Sequence, residues 1–112
     1  MLIYKIFRAA EWAAFQSAGR TFGAPVDLAD GFIHFSTGAQ VAETAARHFS
    51  GTEGLVLVAF DSDALGDALC WDVSRGGARF PHLYRALALA EVLWSAPLPP
   101  GPEGHVFPEG VL

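Results

Sequence analysis

The segment FIHFSTGAQVAETAARHFSGTEGLVLVAF, residues 32–60, contains the clearest structural signals in the chain. Its first part, FIHFS (32–36), has the aromatic and β-branched content of a short strand. Its last part, LVLVAF (55–60), is a continuous apolar run of strand length. Such a run is expected for a central strand that is buried on both faces.

A helix is predicted between these two strands. Thr37 and Gln40 match the S/T-x-x-E/Q capping box, in which two backbone donors at a helix start are satisfied. Apolar positions then recur at helical spacing until Gly51, a residue type that ends helices readily. We therefore expect a helix over residues 37–50.

The flanking segments predict an α+β fold. Strands are predicted at 2–7, 69–74 and 88–95, a short helix at 10–18, and a loop at 19–31. The resulting order has two early helices and mainly antiparallel strands late in the chain. We expect one α+β domain over residues 1–96, followed by a Pro/Gly-rich tail over 97–112 that holds five of the seven prolines.

Composition narrows the class of function. The 112 residues include 7 Lys and Arg against 12 Asp and Glu, for a net charge of −5, and no basic cluster is visible. General nucleic-acid binding is therefore not expected. No apolar run approaches the ~20 residues that span a bilayer, and the start lacks the order of a signal peptide. These features favour a cytoplasmic protein without membrane contact. Cys70 is the only cysteine, which excludes an intramolecular disulfide.

His34 is the first candidate site residue. It lies within an aromatic strand and is followed by Ser36 at the predicted helix start, where backbone donors favour anions. An imidazole and a hydroxyl at that point suit a phosphate or a sugar. The alternative is a core histidine bound to a backbone carbonyl, with Ser36 assisting the helix cap. This stretch alone does not separate the two.

The second candidate cluster is the motif RFPHLY, from Arg79 to Tyr84. Alternation along a strand places Phe80, His82 and Tyr84 on one face. Two aromatic rings beside an imidazole suit stacking on a planar ligand, with Arg79 as a further binding candidate. The alternative is a bulged edge strand that covers the core.

Asp72 is a third candidate, because it alternates with Cys70 and Ser74 on a predicted strand. Its carboxylate would stabilise a developing positive charge or act as a base. The alternative is a solvated edge-strand residue.

No metal site is predicted, because the histidines lack HExxH spacing and the acids at 61–72 do not fit a calcium loop. A three-histidine site is geometrically open but not indicated.

The motifs together resemble a known bacterial family. IYKIF, Trp12, DGFIHFST and WDVSRGGARFPHLY occur in the order found in the family called domain of unknown function 952. The resemblance runs from about residue 2 to about residue 95. It implies a fold similar to that of the ADP-ribosyltransferases, with a split antiparallel β-sheet and NAD bound in a cleft.

The resemblance also implies roles for the candidates. His34 would hold the nicotinamide-side ribose, Ser36 would support the cleft, and Tyr84 or Phe80 would stack on nicotinamide. Asp72 would face the oxocarbenium-like ribose, as carboxylates do in glycoside cleavage. His34, His82 and Asp72 are thus the catalytic candidates.

Two departures from the family pattern are expected to matter. Asp72 stands where the family favours Glu, and Arg85 stands where a small residue often follows the tyrosine. Two functions therefore remain open: a nucleotide-handling enzyme that takes NAD as substrate, or a non-catalytic domain that binds a small molecule or a protein in the same pocket. Oligomeric state is not indicated.

Overall fold

The larger sheet is built around the apolar run at residues 55–60. In the computed structural model, which describes residues 1–112 except for the side chain of Arg75, this run forms β5 (Leu55–Asp61). It pairs antiparallel with β1 (Leu2–Phe7) on one side and with β9 (Trp94–Leu98) on the other. A short strand, β4 (Ser36–Thr37), pairs antiparallel with the outer edge of β1. The predicted central position of this run is confirmed.

A second, smaller antiparallel sheet carries most of the candidate residues. It has the order β3-β7-β6, in which β3 is Ile33–His34, β6 is Leu69–Val73 and β7 is Arg79–Leu83. Two short strand pairs complete the β-structure. They are β2 (Arg20–Thr21) with β8 (Leu87–Ala88), and β10 (Pro100–Gly101) with β11 (Gly104–His105). The predicted α+β class with antiparallel strands is confirmed.

Three α-helices accompany the sheets in the described residues: α1 (Ala9–Ala18), α2 (Pro25–Asp30) and α3 (Val41–His48). Short 3-10 turns occur at Gly66–Ala68, Arg75–Gly77 and Leu89–Glu91. The first helix closely matches the prediction for residues 10–18. The others require corrections.

The prediction of a loop over residues 19–31 was wrong, because the segment contains β2 and α2. Pro25 opens α2, where its missing N–H costs nothing, and Gly31 ends it with a φ of 85°. A helix of one and a half turns has too few residues to show an apolar repeat. The turn formers in this segment therefore concealed it.

The prediction of one strand over residues 32–36 was also wrong, because the chain changes sheets at Phe35. β3 pairs with β7 in the smaller sheet, whereas β4 pairs with β1 in the larger one. Since Thr37 belongs to β4, the helix begins at Val41 rather than at residue 37. The Gln40 side chain still accepts the backbone N–H of Thr37 at 3.1 Å, so one of the two predicted capping contacts forms, within a turn before the helix.

The predicted strand over residues 88–95 begins in fact with a 3-10 turn at Leu89–Glu91. A Glu91 carboxylate oxygen accepts the backbone N–H of Ala88 at 2.9 Å, which stabilises the turn. β9 then continues to Leu98, beyond the predicted domain end at residue 96. Residues 97–112 also form the β10–β11 pair, and the Val111 side chain is buried. The division at residue 96 stays a prediction.

The two faces of the larger sheet bury separate apolar clusters. Ile3 and Phe7 of β1 face the smaller sheet, whereas Tyr4 and Ile6 face α3 and the C-terminal segment. Because both faces are covered, β1 and β5 show no alternation of apolar and polar residues. Lys5 lies on the face shared by Ile3 and Phe7 and is nonetheless buried. A buried lysine requires a partner, and that partner lies in the candidate site.

Candidate functional site

A cleft of about 860 Å³ opens next to Lys5 and Ile6 of β1. β4 pairs with β1 only at Ile3 and Tyr4, so the cleft begins where that pairing ends. Its wall is formed by α2, α3 and the smaller sheet. Four of the predicted site residues line it: His34, Ser36, Phe80 and His82.

Strand register brings the candidate residues of the smaller sheet onto one face. His34 of β3 lies directly opposite His82 of β7, and Asp72 of β6 lies opposite Phe80. Ile33 and Leu83, which alternate with the two histidines, belong to the apolar core behind this face. The prediction that alternation places Phe80 and His82 on one face is confirmed. The two imidazole rings lie 5.2 Å apart, edge to face.

His34 is held between two carboxylates of α2. Its Nδ1 lies 2.6 Å from Oδ1 of Asp27, and its Nε2 lies 3.0 Å from Oδ2 of Asp30. The Asp27 side chain is fully buried, whereas that of Asp30 is 46% exposed and that of His34 33% exposed. One carboxylate therefore anchors the ring from inside the protein, and the other contacts it from the side of solvent.

Asp27 organises this part of the cleft. Its Oδ2 accepts the backbone N–H of Ala24 at 2.7 Å and lies 2.8 Å from Nζ of Lys5. Its Oδ1 accepts the backbone N–H of His34 at 3.0 Å. Burial alone would raise the pKa of Asp27, but the hydrogen bond from His34 and the charge and hydrogen bond of Lys5 outweigh it and lower the pKa to about 2. Asp27 is thus ionised at neutral pH, and Nδ1 of His34 must be the donor.

Lys5 connects β1 to the same network. Its Nζ also donates to the backbone carbonyl of His34 at 3.1 Å. The buried charge of Lys5 is thereby matched by Asp27, as a buried ion pair requires. Residues from β1, α2 and β3 thus hold the His34 ring in a defined orientation.

His82 has a carboxylate partner of its own. Its Nδ1 lies 2.9 Å from Oδ2 of Asp72, and the same oxygen accepts the Tyr84 hydroxyl at 2.5 Å. The hydrogen bonds from Tyr84 and His82 lower the pKa of Asp72, and the bond to Asp72 raises the pKa of Tyr84 to about 12. Asp72 lies outside the lining of the cleft. In this structure its carboxylate orients His82 rather than facing the cavity.

A phenylalanine that the sequence did not single out links these rings. Phe32 stacks on His82 at a centroid distance of 4.2 Å and contacts the rings of His34 and Tyr84 at 4.7 and 5.2 Å. Phe80 lines the main cleft, whereas Tyr84 lines a separate cleft of about 250 Å³. The two rings predicted to flank a ligand therefore face different cavities.

Ser36 and Arg79 occupy positions other than those expected. The Ser36 hydroxyl lies 2.9 Å from that of Thr44, and Ser36 does not start α3, which begins at Val41. The anion site expected at that helix start is therefore not formed by this arrangement. Arg79 is exposed, and its Nη1 donates to the carbonyl of Trp71 at 3.1 Å, outside the cleft lining.

Among the described residues, no three His, Cys, Asp or Glu side chains lie together as a metal site would require. None of the helices in that same part of the chain is long and apolar enough to cross a membrane.

Comparisons with protein families and with solved structures both find proteins similar to this chain. The model of the family described as protein of unknown function (DUF952) matches residues 6–95. The chain belongs to this family. A crystal structure of protein CC0527 from Caulobacter crescentus is 53% identical and superposes with a TM-score of 0.90, covering 94% of this chain and 92% of that one. A solution NMR structure of CC0527 is 54% identical, with a TM-score of 0.83 and coverage of 93% and 90%. No curated protein matches the chain.

Besides Phe32, the residues of this DUF952 domain that sequence reasoning missed are Lys5, Asp27 and Asp30. A local signal for Asp27 was present: Pro25 followed two residues later by an acid is typical of the first turn of a helix. No local pattern indicated that Lys5 would contact Asp27.

Arg85, the expected departure from the family pattern, has a structural role. Its guanidinium donates to both carboxylate oxygens of Glu91 and to the carbonyl of Leu65 at 2.7 to 2.9 Å.

Proposed function

We propose that this DUF952 domain binds a nucleotide, with NAD as the first candidate, in the 860 Å³ cleft lined by His34 and His82. The observation that carries the proposal is the pair of adjacent imidazoles, each bound through Nδ1 to a carboxylate. Such carboxylate contacts fix ring orientation and tautomer, which is the arrangement that functional histidines require.

The size and lining of the cleft support a ligand of this class. Its volume lies within the range of about 300–1,000 Å³ typical of small-molecule sites. Arg8, which is half exposed and lies 3.9 Å from Glu11, supplies a cationic group, and Phe80 supplies an aromatic surface. A molecule that combines phosphates, sugar hydroxyls and a planar ring matches this mixture.

The reaction class that we propose is transfer of a glycosyl group, in a fold of the ADP-ribosyltransferase type as the sequence resemblance implies. The C1′–N bond to nicotinamide would break, and C1′ would bond to the oxygen of an acceptor or of water. The proton of that oxygen would pass to an imidazole or carboxylate of the cleft. Nε2 of His34 would face the ligand, because Nδ1 is bound to Asp27, and Asp72 would act through His82 as a positioning residue.

Binding and turnover of NAD can be tested separately. Thermal unfolding and calorimetry measure binding. NAD is added up to about millimolar concentration, which is the range in which weak metabolite sites typically become occupied. Chromatography of nicotinamide measures turnover. We expect His34→Ala to weaken binding and Asp72→Asn to reduce release of nicotinamide. His105→Ala is the matched control, because His105 contacts the carbonyl of Thr52 outside the cleft lining. Absence of any shift with wild-type protein would contradict the proposal.

A second candidate is a non-catalytic domain that binds a partner at the same aromatic surface. It is favoured by three exposed apolar side chains at the two clefts. Phe22 and Leu28 line the smaller cleft and Val26 lines the larger one, at 58%, 64% and 57% exposure. This alternative predicts binding of a small molecule or peptide without product. Turnover that Asp72→Asn abolishes would eliminate it.

A further inference from the structure

The outer nitrogen of His34 is occupied by an acidic oxygen of the protein itself. Nδ1 donates to the ionised Asp27, and Nε2 lies 3.0 Å from Oδ2 of Asp30. Because Nδ1 is used in this way, Nε2 is the ring nitrogen left to contact a ligand. Its contact with Asp30 is at ion-pair distance, so this nitrogen already lies against an acidic oxygen.

We propose that Nε2 of His34 is an oxyanion-binding position, which Asp30 occupies in the free protein and which a phosphate or carboxylate group of the ligand occupies in the complex. Asp30 thus acts as an internal substitute for the ligand. The inference deepens the proposed function, since it names the group of the ligand that His34 binds.

The difference in burial between the two carboxylates supports this exchange. Asp27 has no exposed side-chain surface and binds four groups, so it cannot leave without breaking the network. Asp30 is 46% exposed and can rotate into solvent. An ion pair of this exposure contributes little to stability, so a ligand can replace it at small cost.

The charges around His34 leave Asp30 as the group that an anion must displace. From α2, Asp27 and Asp30 face the ring; from β1, Lys5 neutralises Asp27. From β7, the His82 ring lies 5.2 Å away and is itself bound to Asp72 of β6.

The test compares two substitutions that remove one negative charge each. Asp30→Ala removes the substitute group, and Asp67→Ala removes an exposed carboxylate outside the cleft lining. The probes are ADP-ribose, inorganic phosphate, acetate and nicotinamide riboside, with affinities measured by calorimetry. We expect Asp30→Ala to bind ADP-ribose and phosphate at least about fivefold more tightly, the equivalent of a competing contact of about 1 kcal/mol. Asp67→Ala should stay within about twofold, because a distant exposed charge is screened.

The probes distinguish the source of the oxyanion. Nicotinamide riboside has no phosphate, so Asp30→Ala should leave its affinity unchanged. A gain for acetate but not for phosphate would assign the position to a carboxylate ligand. Unchanged affinity for every anionic probe in Asp30→Ala would overturn the proposal.

Nitrogen NMR of the free protein separates this inference from the proposed function. The Nε2 resonance of His34 should move in Asp30→Ala and remain in place in Asp67→Ala, whether or not any ligand binds. A change in that resonance together with tighter phosphate binding, but no NAD binding, would reject NAD and retain the oxyanion position. An Nε2 resonance that is insensitive to Asp30→Ala would overturn the inference even if NAD binds.

Discussion

The Nδ1 atom of His34 lies 2.6 Å from Oδ1 of Asp27, and the backbone N–H of His34 donates to the same oxygen at 3.0 Å. One carboxylate oxygen thus holds both the ring and the strand that carries it. Asp27 of α2 is buried and also binds Lys5 of β1. A change in its charge therefore alters the contacts among α2, β1 and β3. The local fold and the orientation of the candidate catalytic ring therefore depend on the same group.

Acid is expected to destabilise the protein through Asp27. Its pKa is about 2 in the folded state against 3.8 ordinarily. A depressed folded pKa means that the stabilisation is present above about pH 4 and is lost as pH falls through about 2. The shift corresponds to about 2 kcal/mol of unfolding free energy. Urea unfolding from pH 5 to pH 2 measures this loss.

The control for that experiment is Asp27→Asn, which cannot ionise. We expect this variant to be less stable at neutral pH and to show a flatter acid profile than the wild type. Asp72 and Glu91, whose pKa values are also lowered by hydrogen bonds, contribute equally to both proteins. Parallel pH profiles would show that Asp27 does not provide the acid sensitivity.

Tyr84 should ionise near pH 12, because its hydroxyl donates to Asp72. Replacing Asp72 with Asn removes the negative acceptor, so the pKa of Tyr84 should fall towards its ordinary value of about 10. Ultraviolet titration of tyrosinate measures the change. Tyr4, the other tyrosine, has a pKa raised by burial, and both titrations are best made in a Tyr4→Phe background. Identical Tyr84 titrations with Asp and with Asn at position 72 would refute the contact.

Arg85→Ala should lower the free energy of unfolding by about 1–2 kcal/mol. The substitution removes a bidentate pair with Glu91 and a hydrogen bond to the carbonyl of Leu65. The matched control is Arg47→Ala, since Arg47 pairs with Glu43 one helical turn away at the surface. That loss should stay below about 0.5 kcal/mol. Equal losses in the two variants, measured by urea unfolding, would show that Arg85 is only a surface charge.

The C-terminal segment is expected to contribute to stability despite its high proline content. Val111 is 5% exposed and belongs to the cluster that contains Val41 and Leu98. Val111→Ala removes the apolar surface of two buried methyl groups and should lower the free energy of unfolding by roughly 1–2 kcal/mol. Leu112→Ala is the control, since Leu112 is 73% exposed. Equal unfolding free energies for the two variants would indicate that residues 97–112 pack only loosely.

Predictions from the sequence were reliable where a pattern belongs to one element. The apolar run at residues 55–60 identified the central strand, because both faces of β5 are covered and every side chain must be apolar or nearly so. The two-residue period of a strand likewise placed Phe80 and His82 on one face. The short helix α2 was not predicted, because its six residues do not complete two turns and so show no helical repeat of apolar residues.

The sequence by itself determined the antiparallel α+β class, the central strand, and the shared face of Phe80 and His82, since these follow from the periodicity of single elements. Only the tertiary structure decided that FIHFS divides between two sheets and that Asp27 lies between Lys5 and His34. Lys5 and His34 are 29 positions apart. Their meeting depends on which strands pair and on the need of a buried lysine for a carboxylate, and neither is encoded in a local pattern.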